Sequence, residues 1–257
     1  MHGGAAAGPP PVPACKNDFA IVETDKFPAC LDYWSTKGYS PATFAAVRET
    51  NGSMTLTGAF QESGANRITL LRLPGQRAAD LAEFKRQNYR PESVNVLRGR
   101  EGPRFTTIWA PAQGAFESYG GLDEAELQAK LQQHGPDGLQ ITDIAAYGPK
   151  DGVRFSAIWS QTGVPAKAIL DVTHTDLRQQ FGQMQQEGFL LDRLSEYPTE
   201  AGARYAAVFR KRDGRAMFFA LMDESELQVR QAVAASKGMR LHYITHSGSR
   251  FAAVWWK

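Results

Sequence analysis

Cysteine is scarce in this 257-residue chain: Cys15 and Cys30 are the only two, and they form no CxxC pair with a distant partner cluster. That excludes the usual structural zinc arrangement, and no other metal-ligand spacing stands in for it. In an oxidising compartment the two would pair and tie the start of the chain to the first helix; in a reducing one they stay as thiols, and the sequence leaves both open. Apolar runs are short as well. The longest, Ala216 to Met222, is about a third of what a membrane-spanning helix needs, so no transmembrane segment is expected. Excess charge is also missing: 29 basic against 27 acidic side chains leave a formal charge of +2, which excludes the basic face of a nucleic-acid-binding protein. Catalytic signatures are few. There is no GxSxG elbow, and Gly99 to Gly102 and Gly148 to Gly152 read as hairpin turns without a following helix, so no phosphate-cradling loop and no cofactor are expected.

What the chain does have is self-similarity. Residues 1–17 are nearly all Gly, Ala, Pro and Val and read as a flexible tail without a core of its own. They lack the basic start and apolar stretch of an intact secretory signal, which leaves a cytoplasmic chain or an exported and processed one. Beyond them, Arg104-Phe105-Thr106-Thr107-Ile108-Trp109 returns as Arg154 to Trp159, Arg204 to Phe209 and Arg250 to Trp255, with a weaker copy at Met54 to Phe60. A second marker, Gly38, Asn88, Gly138, Gly188 and Gly238, recurs every 50 residues. Five units follow, about 18–66, 67–114, 115–164, 165–214 and 215–257, in a single repeat domain.

Each unit reads as strand, helix, strand, strand. Ahead of the marker, apolar residues at i, i+4 and i+7 (Phe27, Leu31, Trp34; Leu127, Leu131, His134; Leu177, Phe181, Met184) describe a helix buried on one side; Arg77 breaks the pattern in unit two. Asp123 with Glu126, Thr173 with Asp176 and Asp223 with Glu226 are capping boxes at one register. The marker ends the helix through a left-handed backbone, which Gly and Asn accept most cheaply. Five intact units without separate caps predict an α/β repeat closed, or nearly closed, into a propeller-like ring; an open arch is the alternative.

The Gly-Tyr or Gly-Phe strand start, the Arg-Phe-Ala-Ala-Val-Trp strand and the Thr173-His174-Thr175 helix entry resemble the bacterial tandem repeat of the amino-terminal region of polyglycine hydrolases. The resemblance covers about residues 18 to 257. It implies a secreted or cell-envelope module, often joined to a β-lactamase-like hydrolase domain. That domain's Ser-x-x-Lys nucleophile matches no position here, so the resemblance transfers fold and location, not catalysis.

Residues common to all units point to the scaffold: Arg104, Arg154, Arg204 and Arg250 to a recurring ion pair or carbonyl contact, and Trp109, Trp159 and Trp255 to the core. Function is sought in the departures. The fourth position after each marker reads Ala42, Glu92, Thr142, Asp192 and His242. On a regular strand His242 and His246 share a face about 13 Å apart, too far for one metal ion, and Asp192 and Glu196 match them in unit four. Glu92, Asp192, Glu196, His242 and His246 are thus the candidate catalytic cluster, against the plainer reading of solvated strand faces. His174 at a helix start and the aromatics Tyr119, Tyr243 and Trp256, read as exposed, are the candidate ligand-binding residues. The expected function is a noncatalytic module that binds a peptide or polymer ligand; the alternative is a stand-alone enzyme performing proton transfer or hydrolysis on a small-molecule or peptidic substrate.

Overall fold

In the computed structural model, the described residues are 19–48, 52–62, 65–99, 102–148, 152–247 and 250–257. The expected tail and Cys15 lie outside them. Unit one runs β1 (Phe19–Glu23), α1 (Phe27–Ser35), β2 (Tyr39–Arg48) and β3 (Met54–Glu62). Unit two runs β4 (Arg67–Arg72), α2 (Pro74–Arg86), β5 (Tyr89–Gly99) and β6 (Gly102–Pro111). Unit three runs β7 (Phe116–Leu122), α3 (Glu124–His134), β8 (Gln140–Tyr147) and β9 (Arg154–Ser160). Unit four runs β10 (Ala166–Val172), α4 (His174–Gln186), β11 (Phe189–Thr199) and β12 (Gly202–Lys211). Unit five runs β13 (Ala216–Met222), α5 (Glu224–Ser236), β14 (Arg240–Ser247) and β15 (Arg250–Trp256). Every unit makes its own antiparallel three-stranded sheet, with the last strand in the centre, the strand before the helix on one side and the strand after it on the other.

The local signals act as the residues require. Asp123 and Thr173 cap α3 and α4 with reciprocal bonds from Glu126 and Asp176, and Asp223 accepts from the Glu226 amide. Gly38, Asn88, Gly138, Gly188 and Gly238 all have φ between 61° and 80°, so the 50-residue marker is the left-handed residue that ends each helix. Arg77 is not solvated: it turns inward, bonds Ser118 Oγ at 2.9 Å and lies over the Phe105 ring. The recurring arginines pair at the helix entries, Arg154 with Asp123, Arg204 with Asp171 and Arg250 with Asp223.

Packing joins each unit to the next. Trp109, Trp159, Trp255, Phe60 and Phe209 are buried at one register of the central strands. Phe44 and Phe60 share a core with Leu97 and Ile108 of unit two, Val94 and Phe105 with Ala145 and Ile158 of unit three, and Phe155 and Trp159 with Tyr197 and Val208 of unit four. Leu191 and Phe209 then pack with Tyr243 and Val254 of unit five, and Ile244 and Trp255 pack with Ala45 and Ala59 of unit one. The last contact carries a hydrogen bond between residues 201 apart, Ile244 N–H donating to Thr43 Oγ1 at 3.1 Å.

Candidate functional site

Each strand that follows a helix carries one irregularity, and it falls at the same place in all five units. The register shifts between Pro41 and Thr43, Pro91 and Ser93, Ile141 and Asp143, Leu191 and Arg193, and Leu241 and Tyr243. The inserted residues are Ala42, Glu92, Thr142, Asp192 and His242, the positions at which the units depart from one another. A bulge re-aims the side chains around it and resets the alternation beyond it. The residues immediately after the bulges, Thr43, Ser93, Asp143, Arg193 and Tyr243, are polar in every unit and buried in every unit. They form a polar layer where the five strands meet.

Arg193 is its centre. Its guanidinium lies 3.2 Å from Asp192 Oδ1, 3.4 Å from Asp143 Oδ1 and 3.8 Å from Glu92 Oε1, and 2.7 Å from His242 Nε2. The same His242 nitrogen is 2.7 Å from Asp192 Oδ1. Arg210 holds the other Asp192 oxygen at 2.9 Å, and Arg90 holds Glu92 at 3.1 Å. Three cations thus face three carboxylates around one imidazole. The Asp143 carboxylate also accepts from the Val94 amide, and the Tyr243 ring lies under the Arg193 guanidinium at 5.2 Å.

Burial dominates the electrostatics. It pushes Asp143 up to about 7, against Arg193 and two backbone amides. It pushes His242 down to about 4, with Arg193 and Arg210 in the same direction and Asp192 opposing. For Asp192, burial alone would raise the carboxyl; Arg193, His242 and Arg210 overcome it and hold the group well below the usual carboxylate range. Arg193 stays charged, because its carboxylates outweigh the cost of burial.

Glu92, Arg193 and His242 open onto a cleft of about 400 Å³ above unit one. Ala42 lines it, where the other units place a larger polar side chain at this bulge. Tyr39, Phe60, Gln61, Glu62 and Asn66 line it from the unit-one side and Gln231, Arg240 and Trp256 from unit five. Trp256 stacks flat on His242, ring centroids 3.3 Å apart, carries Arg212 over its ring at 4.2 Å and donates its indole N–H to Leu191 O.

The candidate catalytic cluster is therefore divided. Glu92, Asp192 and His242 come together. Glu196 and His246 lie beyond the bulges, where alternation has restarted at Arg193 and Tyr243; the expectation that His242 and His246 share a face assumed an unbroken strand, and the inserted residue breaks it. Glu196 is buried and accepts from Tyr205 Oη at 3.1 Å. Tyr243 needs a second correction: it is buried at 1% exposure, because the residue after a bulge points into the polar layer. Tyr119 is half-buried and its hydroxyl meets His134 Nε2 at 3.1 Å. Trp256 is in the cleft wall. His174 lies far along the chain from it, in a separate groove beside Phe218, where burial and Arg178 lower its proton affinity. Arg193, Asp143, Arg210 and Arg90 were not singled out from sequence. The available signal was charge at positions that are Thr43, Ser93 and Tyr243 in sister units, beside the residues that vary.

The sequence profile of the family described as polyglycine hydrolase-like, structural repeat, matches residues 79–112, 113–162 and 163–212, together just over half of the chain. The first match begins within α2, and the later boundaries fall in the connections between β6 and β7, β9 and β10, and β12 and β13. Units one and five, outside the matched residues, have the same sheet order. None of the curated proteins compared with the chain matches it.

Proposed function

Because the chain belongs to the polyglycine hydrolase-like structural repeat family, we propose that it is a propeller-like recognition module, secreted or held in the cell envelope, that binds an extended peptide in the cleft above unit one. Ring closure is supported by the shared core of units one and five and by the bond from Ile244 to Thr43. Export is supported by Cys30, which is buried and disulfide-bonded, a state typical of oxidising compartments.

The observation that carries the binding reading is the pairing of the charges behind the cleft, where each carboxylate lies within 4 Å of a guanidinium. Each carboxylate of the layer faces a guanidinium, and the one imidazole nitrogen that approaches Asp192 is also engaged by Arg193. His242 Nε2 can accept from Arg193 or donate to Asp192 but not both, and with Arg193 on it the nitrogen is not available as a base. The cleft offers what a peptide uses: aromatic faces at Tyr39 and Trp256, amide side chains at Gln61, Asn66 and Gln231, and one charge of each sign at Arg240 and Glu62. Titration calorimetry with glycine-rich and mixed-sequence peptides, alongside cell-wall glycan fragments, tests the reading. A peptide should bind and Ala42→Trp, which fills the cleft, should abolish it without changing the fold. Preference for the glycan fragments, or no binding by any peptide, refutes it.

The second reading, an enzyme, draws on the Asp192–His242 pair at the cleft. It requires Arg193 to leave His242 Nε2 when substrate enters. Turnover of a peptide or small-molecule substrate that is lost in both His242→Ala and Asp192→Asn, with the fold retained, would establish it.

A further inference from the structure

A second groove, of about 460 Å³, lies between units four and five and is independent of the cleft above unit one. It is lined by Ala216, Met217, Phe218, Phe219 and Ala220, five consecutive residues of β13. Successive strand side chains point to opposite faces, so an unbroken run of five lines a groove only where the groove follows the edge of the strand. β13 is the terminal strand of its sheet, and among the described residues nothing pairs with its outer side.

Terminal strands are normally guarded by charge or proline against pairing with another chain. The other strands at this position are so guarded: β1 carries Glu23, β4 carries Arg67 and Arg72, β7 carries Glu117, and β10 carries Lys167 and Asp171. β13, Ala216 to Met222, carries no charged residue and no proline. The apolar run that is longest in the sequence is thus an edge without charge or proline, interrupted only by the irregularity between Phe219 and Met222. The side chains lining the groove carry only positive charge. His174 and Arg178 of α4 line one flank and Arg230 of α5 the other, with Phe181 in the wall, and no carboxylate lines the groove. Arg230 lies over the Phe219 ring at 4.0 Å and donates to Glu226 Oε1 at 3.0 Å, so its charge is held near the strand but shared with a carboxylate, and Arg178 is the cation that an acidic segment meets first.

We propose that the outer edge of β13 is a docking site for an extended acidic peptide segment, which adds as a fourth strand and sets its carboxylates against Arg178 and Arg230 and its apolar side chains against the Phe218 and Phe219 faces. Backbone hydrogen bonds to the edge supply affinity, and the flanking cations select the sign of the charge. The proposal does not depend on the cleft above unit one. It is tested by fluorescence polarisation with a labelled peptide of alternating valine and glutamate and a matched peptide of valine and lysine. The acidic peptide should bind and the basic one should not; Arg178→Glu should weaken binding about tenfold, while Ala42→Trp leaves it unchanged. Arg178 is exposed, so its reversal does not threaten the fold. No binding, equal binding of both peptides, or undiminished binding by Arg178→Glu overturns the proposal. So does self-association of the unliganded chain through this edge, seen in sedimentation as a dimer that the acidic peptide does not dissociate.

Discussion

At the scale of single residues, the buried Asp143 and the half-buried His242 titrate over the same range with opposite effects. His242 is pushed down from 6.5 to about 4, so its contribution to stability is present above 6.5 and is lost as the pH falls toward 4. Asp143 is pushed up from 3.8 to about 7, so its contribution is full below 3.8 and is lost as the pH rises toward 7. The windows overlap and the signs oppose, which predicts nearly flat stability between about pH 4 and 7. Asp143→Asn removes one side: unfolding free energy should then fall on acidification, by on the order of 2 kcal/mol across the window. His242→Gln removes the other, and stability should rise on acidification. Urea unfolding of the three proteins at several pH values checks this; parallel pH profiles would refute it. Arg193 faces both groups, and Arg193→Met leaves Asp143 and Asp192 buried without their shared cation. That substitution should cost about 3–5 kcal/mol, with part restored by adding Asp143→Asn.

At the scale of the elements, the sequence was readable wherever a unit repeats its sisters. The left-handed marker follows from spacing in all five units and the capping residues in three of them, because the backbone geometry there imposes the same residue types. The bulges were not readable. Pleat alternation assumes two residues per repeat, and one inserted residue reverses every side chain beyond it. For that reason the sequence places Glu92, Asp192, Glu196, His242 and His246 in one cluster, where the structure joins Glu92, Asp192 and His242 and buries Glu196 against Tyr205, and it reads Tyr243 as exposed where the structure buries it. Fivefold recurrence also exposes strain that a single unit would hide. Leu71, Asp171 and Leu221 have φ between 51° and 61° at the position where unit three has Gly121. A left-handed leucine costs roughly 1 kcal/mol or more relative to glycine, offset in part by the greater freedom of glycine when unfolded. Leu221 is also 43% exposed and loses little by removal of its side chain. Leu221→Gly should therefore raise the thermal midpoint or leave it unchanged, whereas Gly238→Ala, at φ 69°, should lower stability by about 1 kcal/mol. Melting curves of the two variants should move apart.

At the scale of the whole molecule, the interface of units one and five decides what kind of object unfolds. In an open array, stability is a sum of unit and nearest-neighbour terms, and damage at one end frays that end first. In a ring there is no end. Trp255 is the informative position, since it is fully buried in unit five and packs in the cluster that contains Ala45 and Ala59 of unit one. Trp255→Ala should cost about 3–5 kcal/mol. If units one and five close the ring, that cost should appear as a shift of one cooperative transition, with far-ultraviolet circular dichroism and the fluorescence of the remaining tryptophans changing at the same urea concentration. Trp34 and Trp109 are buried in units one and two, far from unit five in sequence, and report whether those units unfold with the damaged one. Loss of helical signal before their fluorescence changes would mean that unit five opens alone, and that the chain behaves as an arch.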